Sequence, residues 1–283
     1  MTDPTGKSVV ITGATSGIGQ ATAIALARQG ARVLVVGRDP ARGEATVREM
    51  ARVGEAGEFL AANLLSLEDI ARLASEVSTR LSSLDVLINN AGGVISARMM
   101  SADNIEATFA LNTVAPFAIT SHLHGALARA NGRVVNIATG FLGRTRLDVD
   151  ELVNPRSHSS FGSYARAKLA SIMVTLEQAE RWERDGISAV AVQPGIVTGT
   201  RFGGADPSNP SLGRSIGAPI MKLLGIGATL EQATERYQQA AFDSRLASGA
   251  YFAWGKVAKI PNQAQDADVR LAVWQLLEEL THA

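Results

Sequence analysis

Apolar positions along the chain fall into two alternating rhythms. Short, nearly continuous β-branched runs stand at 8–12 (SVVIT), 32–36 (RVLVV), 58–62 (EFLAA), 84–89 (LDVLIN), 133–138 (RVVNIA) and 187–193 (ISAVAVQ), with a shorter seventh at 250–253 (AYFA). Continuous rather than alternating apolar strands are those buried on both faces of a sheet. Between them lie longer helical patterns at 17–29, 39–52, 66–80, 101–128, 163–184, 228–245 and 265–281. Several have readable ends. Gly30 suits the residue just past a helix. Asp39-Pro40 reads as an N-cap followed by proline in the first turn. Ser66-Leu67-Glu68-Asp69 resembles a capping box. The β-α-β-α alternation predicts an α/β fold, a Rossmann-type doubly wound parallel sheet of about seven strands with helices on both faces.

The pattern shows no repeat and no low-complexity linker, so residues 1–283 read as one domain. Two segments break the rhythm, 140–162 and the Gly-, Pro- and Ser-rich 198–225. Both follow strand C-termini, where ligands bind in such sheets. Long irregular segments in a compact domain are usually functional.

Composition narrows the function. Lys+Arg and Asp+Glu both total 27, giving a formal net charge of zero. A nucleic-acid binder carries a basic excess or stripe, and neither is present. There is no cysteine, which removes disulfides and thiolate metal sites. The apolar runs are too short to span a bilayer, and no signal peptide is evident. The expectation is a cytoplasmic protein with no membrane span. His122 and His124 fall on different faces of a helix and read as packing, and no cluster has metal-ligand spacing. Trp182, Trp254 and Trp274 read as packing residues, and His158 lies in the loop before Tyr164, within reach of a substrate.

Two stretches carry chemistry. The first strand runs into TGATSGIGQA, residues 12–21, with glycines at 13, 17 and 19. Such a strand-to-helix turn lets backbone N–H groups approach a pyrophosphate at a helix N-terminus. Further on, SYARAKL places Tyr164 and Lys168 four residues apart, on one helix face. A phenol beside an ammonium is a candidate proton donor, since a nearby positive charge lowers a pKa of about 10.

TGATSGIG, INNAG at 88–92, Asn112, Tyr164-x-x-x-Lys168 and PGIV at 194–197 come in the order and approximate spacing of the short-chain dehydrogenases/reductases. The chain resembles that family along essentially its whole length. Its long 140–162 connection and C-terminal stretch resemble the retinol-dehydrogenase-like branch. The resemblance implies an NAD(P)-dependent enzyme that interconverts a carbonyl (ketone or aldehyde) and an alcohol. Tyr164 would be the general acid/base and Lys168 would also hold the nicotinamide ribose. Thr139, in NIATGF, aligns with the family's serine, and its hydroxyl can make the same hydrogen bond. Asn112 would kink a helix and hold a water feeding Lys168. Cofactor contacts would come from Gly13, Thr15, Ser16, Gly17, Ile18 and Gly19 in the turn, and from Asn63 and Leu64 after the third strand. Asn90, Ala91 and Gly92 would lie beside the adenine-side ribose, and Pro194, Gly195, Val197 and Thr200 would pass the nicotinamide.

At the end of the second strand, VVGRDPARG offers Arg38 and Asp39. An acid there binds a ribose 2′-OH, whereas an arginine pairs with a 2′-phosphate. Asp39 is already committed as an N-cap, so NADP(H) is preferred, with NAD(H) as the alternative and Arg42 as a further charge. The 93–100 loop, 140–162 and 198–225 would form the substrate pocket. They contribute Val94, Ile95, Met99, Met100, Phe141, Leu142, Phe161, Phe202, Ile216 and Met221, a palette for a moderately apolar small-molecule substrate. A homodimer or homotetramer through the helices at 101–128 and 163–184 is expected from the resemblance. Two other readings stand: a non-redox role on this scaffold (cyclisation, epimerisation or dehydration) and a non-catalytic NADP-binding regulator.

Overall fold

The structure is a computed structural model, and it describes residues 2–140, 142, 145–197 and 227–282. The β-branched runs form the strands β1 (Ser8–Thr12), β2 (Arg32–Gly37), β3 (Glu58–Ala61), β4 (Val86–Asn89), β5 (Arg133–Ile137), β6 (Ser188–Gln193) and β9 (Tyr251–Ala253). With β10 (Lys256–Ala258) they make one eight-stranded sheet, in the order β10-β9-β6-β5-β4-β1-β2-β3. Only β10 runs antiparallel to its neighbour. It is one strand more than the pattern predicts, because three residues with exposed Lys256 and Val257 carry no core signal. A separate parallel pair joins β7 (Ile196–Val197) to β8 (Gly227–Ala228). The strand order reverses between β1 and β4, and their C-terminal ends open there into a crevice.

The helices are α1 (Gly17–Arg28), α2 (Pro40–Val53), α3 (Leu67–Arg80), α4 (Ala107–Phe109), α5 (Ala115–His122), α6 (His124–Ala130), α7 (Asp150–Val153), α8 (Ser160–Arg181), α9 (Leu230–Phe242) and α10 (Ala267–Thr281). Two apolar clusters cover one sheet face: one joins α3, α5 and α6 to the sheet, the other joins α5, α8 and α10. A third, built on α1 and α9, covers the opposite face.

Several boundaries depart from the sequence pattern. The predicted helix over 101–128 is not continuous. It starts at Ala107, passes through a π turn at Ala110–Val114 and breaks again at Leu123. The buried Glu106 caps its start, accepting from the Phe109 N–H at 2.8 Å. Ser66 caps α3 by accepting from the Asp69 N–H, but the reciprocal half of the box is absent. The Asp69 carboxylate instead accepts from the Asn63 N–H at 2.9 Å. The 140–162 connection is less polar inside than its sequence reads. Leu142 and Leu152 are buried in the α8 cluster, with Leu147, Val149 and Val153 packed against it.

One end of the sheet is pinned by Arg133. From β5 its guanidinium donates to the carbonyls of Ala240, Asp243 and Leu246 and to the Ser188 hydroxyl. It thereby satisfies carbonyls at the C-terminus of α9 that the helix itself leaves open. On the other face, α10 lies across α8. Arg270 bridges Glu177 and Glu180, both at 2.9 Å, and Trp274 packs edge-on against Phe117 and Trp182. His124 pairs with Asp185 and packs on Trp182. Among the described residues, no helix is long and apolar enough to cross a membrane.

Candidate active site

The glycine pattern of the first turn follows from what crowds it. Gly13 and Gly17 adopt φ of +65° and +59°, a region L side chains rarely enter. A Cβ on Gly13 would lie 2.8 Å from the Ala91 Cα, and one on Gly19 would strike the Asn90 amide and lie 2.8 Å from the Gly13 carbonyl. The first turn thus packs directly on the segment after β4. Asn90 secures it, donating to the Thr12 carbonyl at 2.8 Å and the Gly13 carbonyl at 3.1 Å. The Ala91 N–H adds a bond to the Thr12 hydroxyl. The Asn90 side chain is thus a brace of the turn.

Ser16 precedes α1 in extended backbone and makes no side-chain cap bond. The first N–H groups of α1 are left for another acceptor, with no acidic side chain in that turn. A helix start of this kind can take an anion such as a phosphate. Ile18, in the first turn of α1, packs against the core of that face. Thr15 packs on Gly37, where any Cβ would collide with its methyl group.

At the end of β2, Arg38 is exposed. Asp39 is committed as expected, accepting from the Arg42 N–H at 3.2 Å. Its other oxygen pairs with the Arg42 guanidinium at 3.0 Å, so Arg42 stands paired beside Arg38. Asn63 is exposed, and its side-chain oxygen accepts from the Leu65 N–H. Leu64 is buried in the core.

The polar centre lies across the crevice. Lys168, 3 % exposed, donates to the Ile137 carbonyl at 2.6 Å. Its Nζ sits 5.9 Å from the centre of the Tyr164 ring. Tyr164 is buried and its hydroxyl is hydrogen-bonded to that of Thr139. Gly92 closes the other side: a Cβ there would lie 2.6 Å from the Asn112 Oδ1 and 3.3 Å from the Lys168 Nζ. Tyr164, Thr139 and Lys168 thus meet at the ends of β4 and β5; spacing had put Tyr164 and Lys168 on one helix face, and the resemblance added Thr139.

The electrostatics differ from the expectation. Burial pushes the Tyr164 hydroxyl up, and the Thr139 bond acts the other way without cancelling it. Burial brings Lys168 down to about 7. Desolvation of two groups thus outweighs the pull of ammonium on phenol. A phenol held protonated is the form that can give a proton away.

Asn112 occupies the π turn, consistent with the predicted kink. Its side chain is fully used: Oδ1 accepts from the Gly93 N–H at 3.0 Å, and Nδ2 donates to the carbonyls of Gly93 and Thr108. Its backbone carbonyl accepts from Ser171 at 2.7 Å. A small cavity borders it, lined by Asn89, Asn112, Asn136, Ile137 and Ser171 among others.

Gly195 has φ of +96°, and Pro194 precedes it at the end of β6. Val197 lies in β7. Thr200 lies outside the described residues, as do Phe141, Phe202, Ile216 and Met221. Of the remaining pocket candidates, Met99, Met100 and Phe161 are exposed, with Phe161 at 72 %. Val94 and Leu142 are buried, and Ile95 is half-buried. His158 hydrogen-bonds the Ser96 carbonyl at 3.1 Å, and Ser160 donates to that same carbonyl. The two together tie the 93–100 loop to the approach to α8.

Sequence reasoning missed four contributors. Tyr237 is buried on α9 and donates to the Asn90 Oδ1 at 3.0 Å. Arg236 donates to the Pro194 carbonyl. Asn89 and Asn136 form a buried chain: Asn89 donates to Asn136 at 2.9 Å, and Asn136 donates to Thr175 and Gln178. A readable signal existed for this last pair, an asparagine interrupting each of two otherwise apolar strands. Tyr237 and Arg236 gave none, being ordinary residues of an amphipathic helix.

Comparisons agree with this geometry. The short chain dehydrogenase family model matches residues 7–209. A Streptomyces sp. (strain C5) protein that bears the name daunorubicin C-13 ketoreductase is 33% identical over 272 residues, 95% of this chain and 91% of that one. Human retinol dehydrogenase 14 is 31% identical over 298 residues, 96% of this chain and 85% of that one. Among solved structures, a Beutenbergia cavernae protein designated an NAD(P)-dependent gluconate 5-dehydrogenase, with NADP bound at low occupancy, superimposes with a TM-score of 0.70. It is 27% identical, over 88% of this chain and 95% of that one.

Proposed function

The chain belongs to the short-chain dehydrogenase/reductase family, in its retinol-dehydrogenase-like branch, and from that premise we propose that it reduces a moderately apolar ketone or aldehyde with NADP(H). It is an NAD(P)-dependent oxidoreductase by family; the nucleotide preference and residue roles are our reading. The observation that carries it is the convergence of Tyr164, Thr139 and Lys168 beside Gly92, facing a glycine turn whose helix N-terminus is open to phosphate.

The residues fit a nicotinamide dinucleotide. Gly13, Thr15, Ser16, Gly17, Ile18 and Gly19 would take the pyrophosphate end, and Arg38, exposed beside the committed Asp39, would take a 2′-phosphate. Asn63, Leu64, Asn90, Ala91 and Gly92 would flank the adenosine half, and Pro194, Gly195 and Val197 the nicotinamide. When bound, the nicotinamide supplies the hydride.

The chain's own residues do the rest. Thr139 and Tyr164 present two hydroxyls to one point, where a substrate oxygen would accept from both. As charge develops on that oxygen, Tyr164 gives up its proton and Thr139 stabilises it by hydrogen bonding. Lys168, held by Ile137 and depressed by burial, takes up or releases a proton near neutral pH and supports the ribose. Asn112 holds Gly93 and with it the wall opposite Lys168.

Thr139 in place of serine is the one feature behind a non-redox role. Its hydroxyl lies within hydrogen-bonding reach of Tyr164, where both can meet one substrate oxygen, and a purely regulatory protein has no use for the Tyr164/Lys168 pair, so we favour the reductase. The test is NADPH consumption across a panel of aromatic and aliphatic ketones and aldehydes, with NADH in parallel. Carbonyl-dependent consumption with NADPH the better donor is expected, and a preference for NADH would overturn the assignment to Arg38.

The homodimer or homotetramer expected through 101–128 and 163–184 meets a face already covered. α10 lies there with Arg270 and Trp274 seated on α8 and Phe117, so the homodimer or homotetramer would assemble through what α10 leaves open and through α10 itself.

A further inference from the structure

Two adjacent residues of α9 reach opposite walls of the nucleotide crevice. Tyr237 donates to the Asn90 Oδ1 at 3.0 Å. Asn90 in turn holds the Thr12 and Gly13 carbonyls of the glycine turn. On the other side, Arg236 donates to the Pro194 carbonyl, on the segment that would face the nicotinamide. Its guanidinium also lies 6.0 Å over the Trp254 ring. Gly195 is what admits it: a Cβ there would lie 2.7 Å from the Arg236 Nη1 and 2.8 Å from the Ala228 Cβ.

The helix that carries the pair is fixed at both ends. Thr229 and Gln232 form a complete capping box at its start. Arg133 engages the carbonyls of Ala240, Asp243 and Leu246 at and just beyond its end. Along its length, Tyr237, Ala240 and Ala241 share the core cluster of Ala23, Leu26 and Ala27 on α1. A helix held this way is a rigid bar, and residues on one such element hold geometry better than residues on loops.

We propose that Arg236 and Tyr237 are a paired positioning device for the cofactor, Tyr237 setting the phosphate-binding turn through Asn90 and Arg236 setting the nicotinamide-side segment through Pro194. One helix thereby fixes the spacing between the two ends of the dinucleotide. This rests on the proposed NADP(H) reading of the crevice.

The two ends have different signatures. Removing the Tyr237 hydroxyl loosens the turn that binds phosphate in ground and transition states alike, so it weakens cofactor affinity and leaves turnover nearly intact. Removing the Arg236 donor shifts the nicotinamide, where small displacements cost rate. The experiment measures NADPH affinity by fluorescence, kcat and KM with the best carbonyl substrate, and Tm, for wild type, Tyr237→Phe, Arg236→Met and Arg236→Lys. Tyr237→Phe should weaken NADPH binding about tenfold with kcat within about twofold, the loss of one buried hydrogen bond. Arg236→Met should lower kcat about tenfold with a smaller loss of affinity, and Arg236→Lys should recover most of that turnover.

Variants equal to wild type would overturn the proposal. So would equal losses of affinity and turnover in both variants that follow Tm, since that marks a purely structural role. Wild type that binds neither NADPH nor NADH would instead sink the nucleotide reading on which the proposal stands. If Tyr237→Phe does not fold, the Arg236 pair still decides: equal turnover in Met and Lys refutes the device.

Discussion

Lys168→Met should change how stability depends on pH in a way set by burial of one ammonium. Lys168 is 3 % exposed and donates to the Ile137 carbonyl. Burial lowers its pKa from 10.5 to about 7. In the unfolded chain it keeps the higher value. Below about pH 7 both states bind the proton and the folded state carries the full cost of a buried charge. As pH rises from about 7 toward 10.5 the folded lysine is neutral while the unfolded one is charged, so stability rises with pH. The slope is about 1.4 kcal/mol per pH unit. Measured only to about pH 9.5, the gain is on the order of 3 kcal/mol, or roughly 6 °C in Tm for a chain of this size. Stopping there avoids Tyr164, whose raised pKa acts in the opposite sense above its ordinary value of 10.0. The assay is chemical denaturation without cofactor, wild type against Lys168→Met, over that range. Wild type should gain on the variant steadily above about pH 7. Parallel curves would show that Lys168 is not desolvated as its position implies.

Other consequences are more local. Arg133→Ala removes the arginine's bonds to the Ala240 and Leu246 carbonyls and to Ser188, and one of the two donors to the Asp243 carbonyl, which keeps the Leu246 N–H, and should cost about 2–4 kcal/mol in urea denaturation; a loss under about 0.5 kcal/mol would mean solvent satisfies those groups. Gly92→Ala would put a Cβ 2.6 Å from the Asn112 Oδ1 and 3.3 Å from Lys168, so kcat should fall at least about tenfold with the fold retained by circular dichroism. Sedimentation should give two or four times the chain mass of 29.7 kDa; a monomeric mass would show that α10 closes the face through which copies would assemble.

Much of the fold was legible because its strands are buried on both faces and so read as uninterrupted apolar runs. A kink at Asn112 was expected from the resemblance, but not the helix's late start at Ala107, nor the tertiary bonds between Asn112 and Gly93 that hold the π turn at Ala110–Val114. Those bonds join residues 19 apart in sequence, beyond any helical period. Strand β10 was missed because its side chains stay outside the core. At the site, Tyr164, Lys168, Thr139 and the glycine turn were visible because chemistry and backbone geometry restrict their residue types and spacing. Their electrostatics were not, because spacing places a charge near a phenol but does not show how deeply both are buried. The bonds of Asn90 to the Thr12 and Gly13 carbonyls, and the one it accepts from Tyr237, 147 residues away, were not legible, because no local period joins those positions.

The most direct test of the central claim is carbonyl-dependent NADPH oxidation by Tyr164→Phe, beside NADPH affinity of the same variant. The ring and its packing are kept and only the proton-bearing oxygen is lost. Turnover should fall by about 10²–10⁴-fold while affinity changes by less than about threefold. Turnover that survives would contradict Tyr164 as the proton donor and, with it, the reading of this crevice as a carbonyl-reducing site.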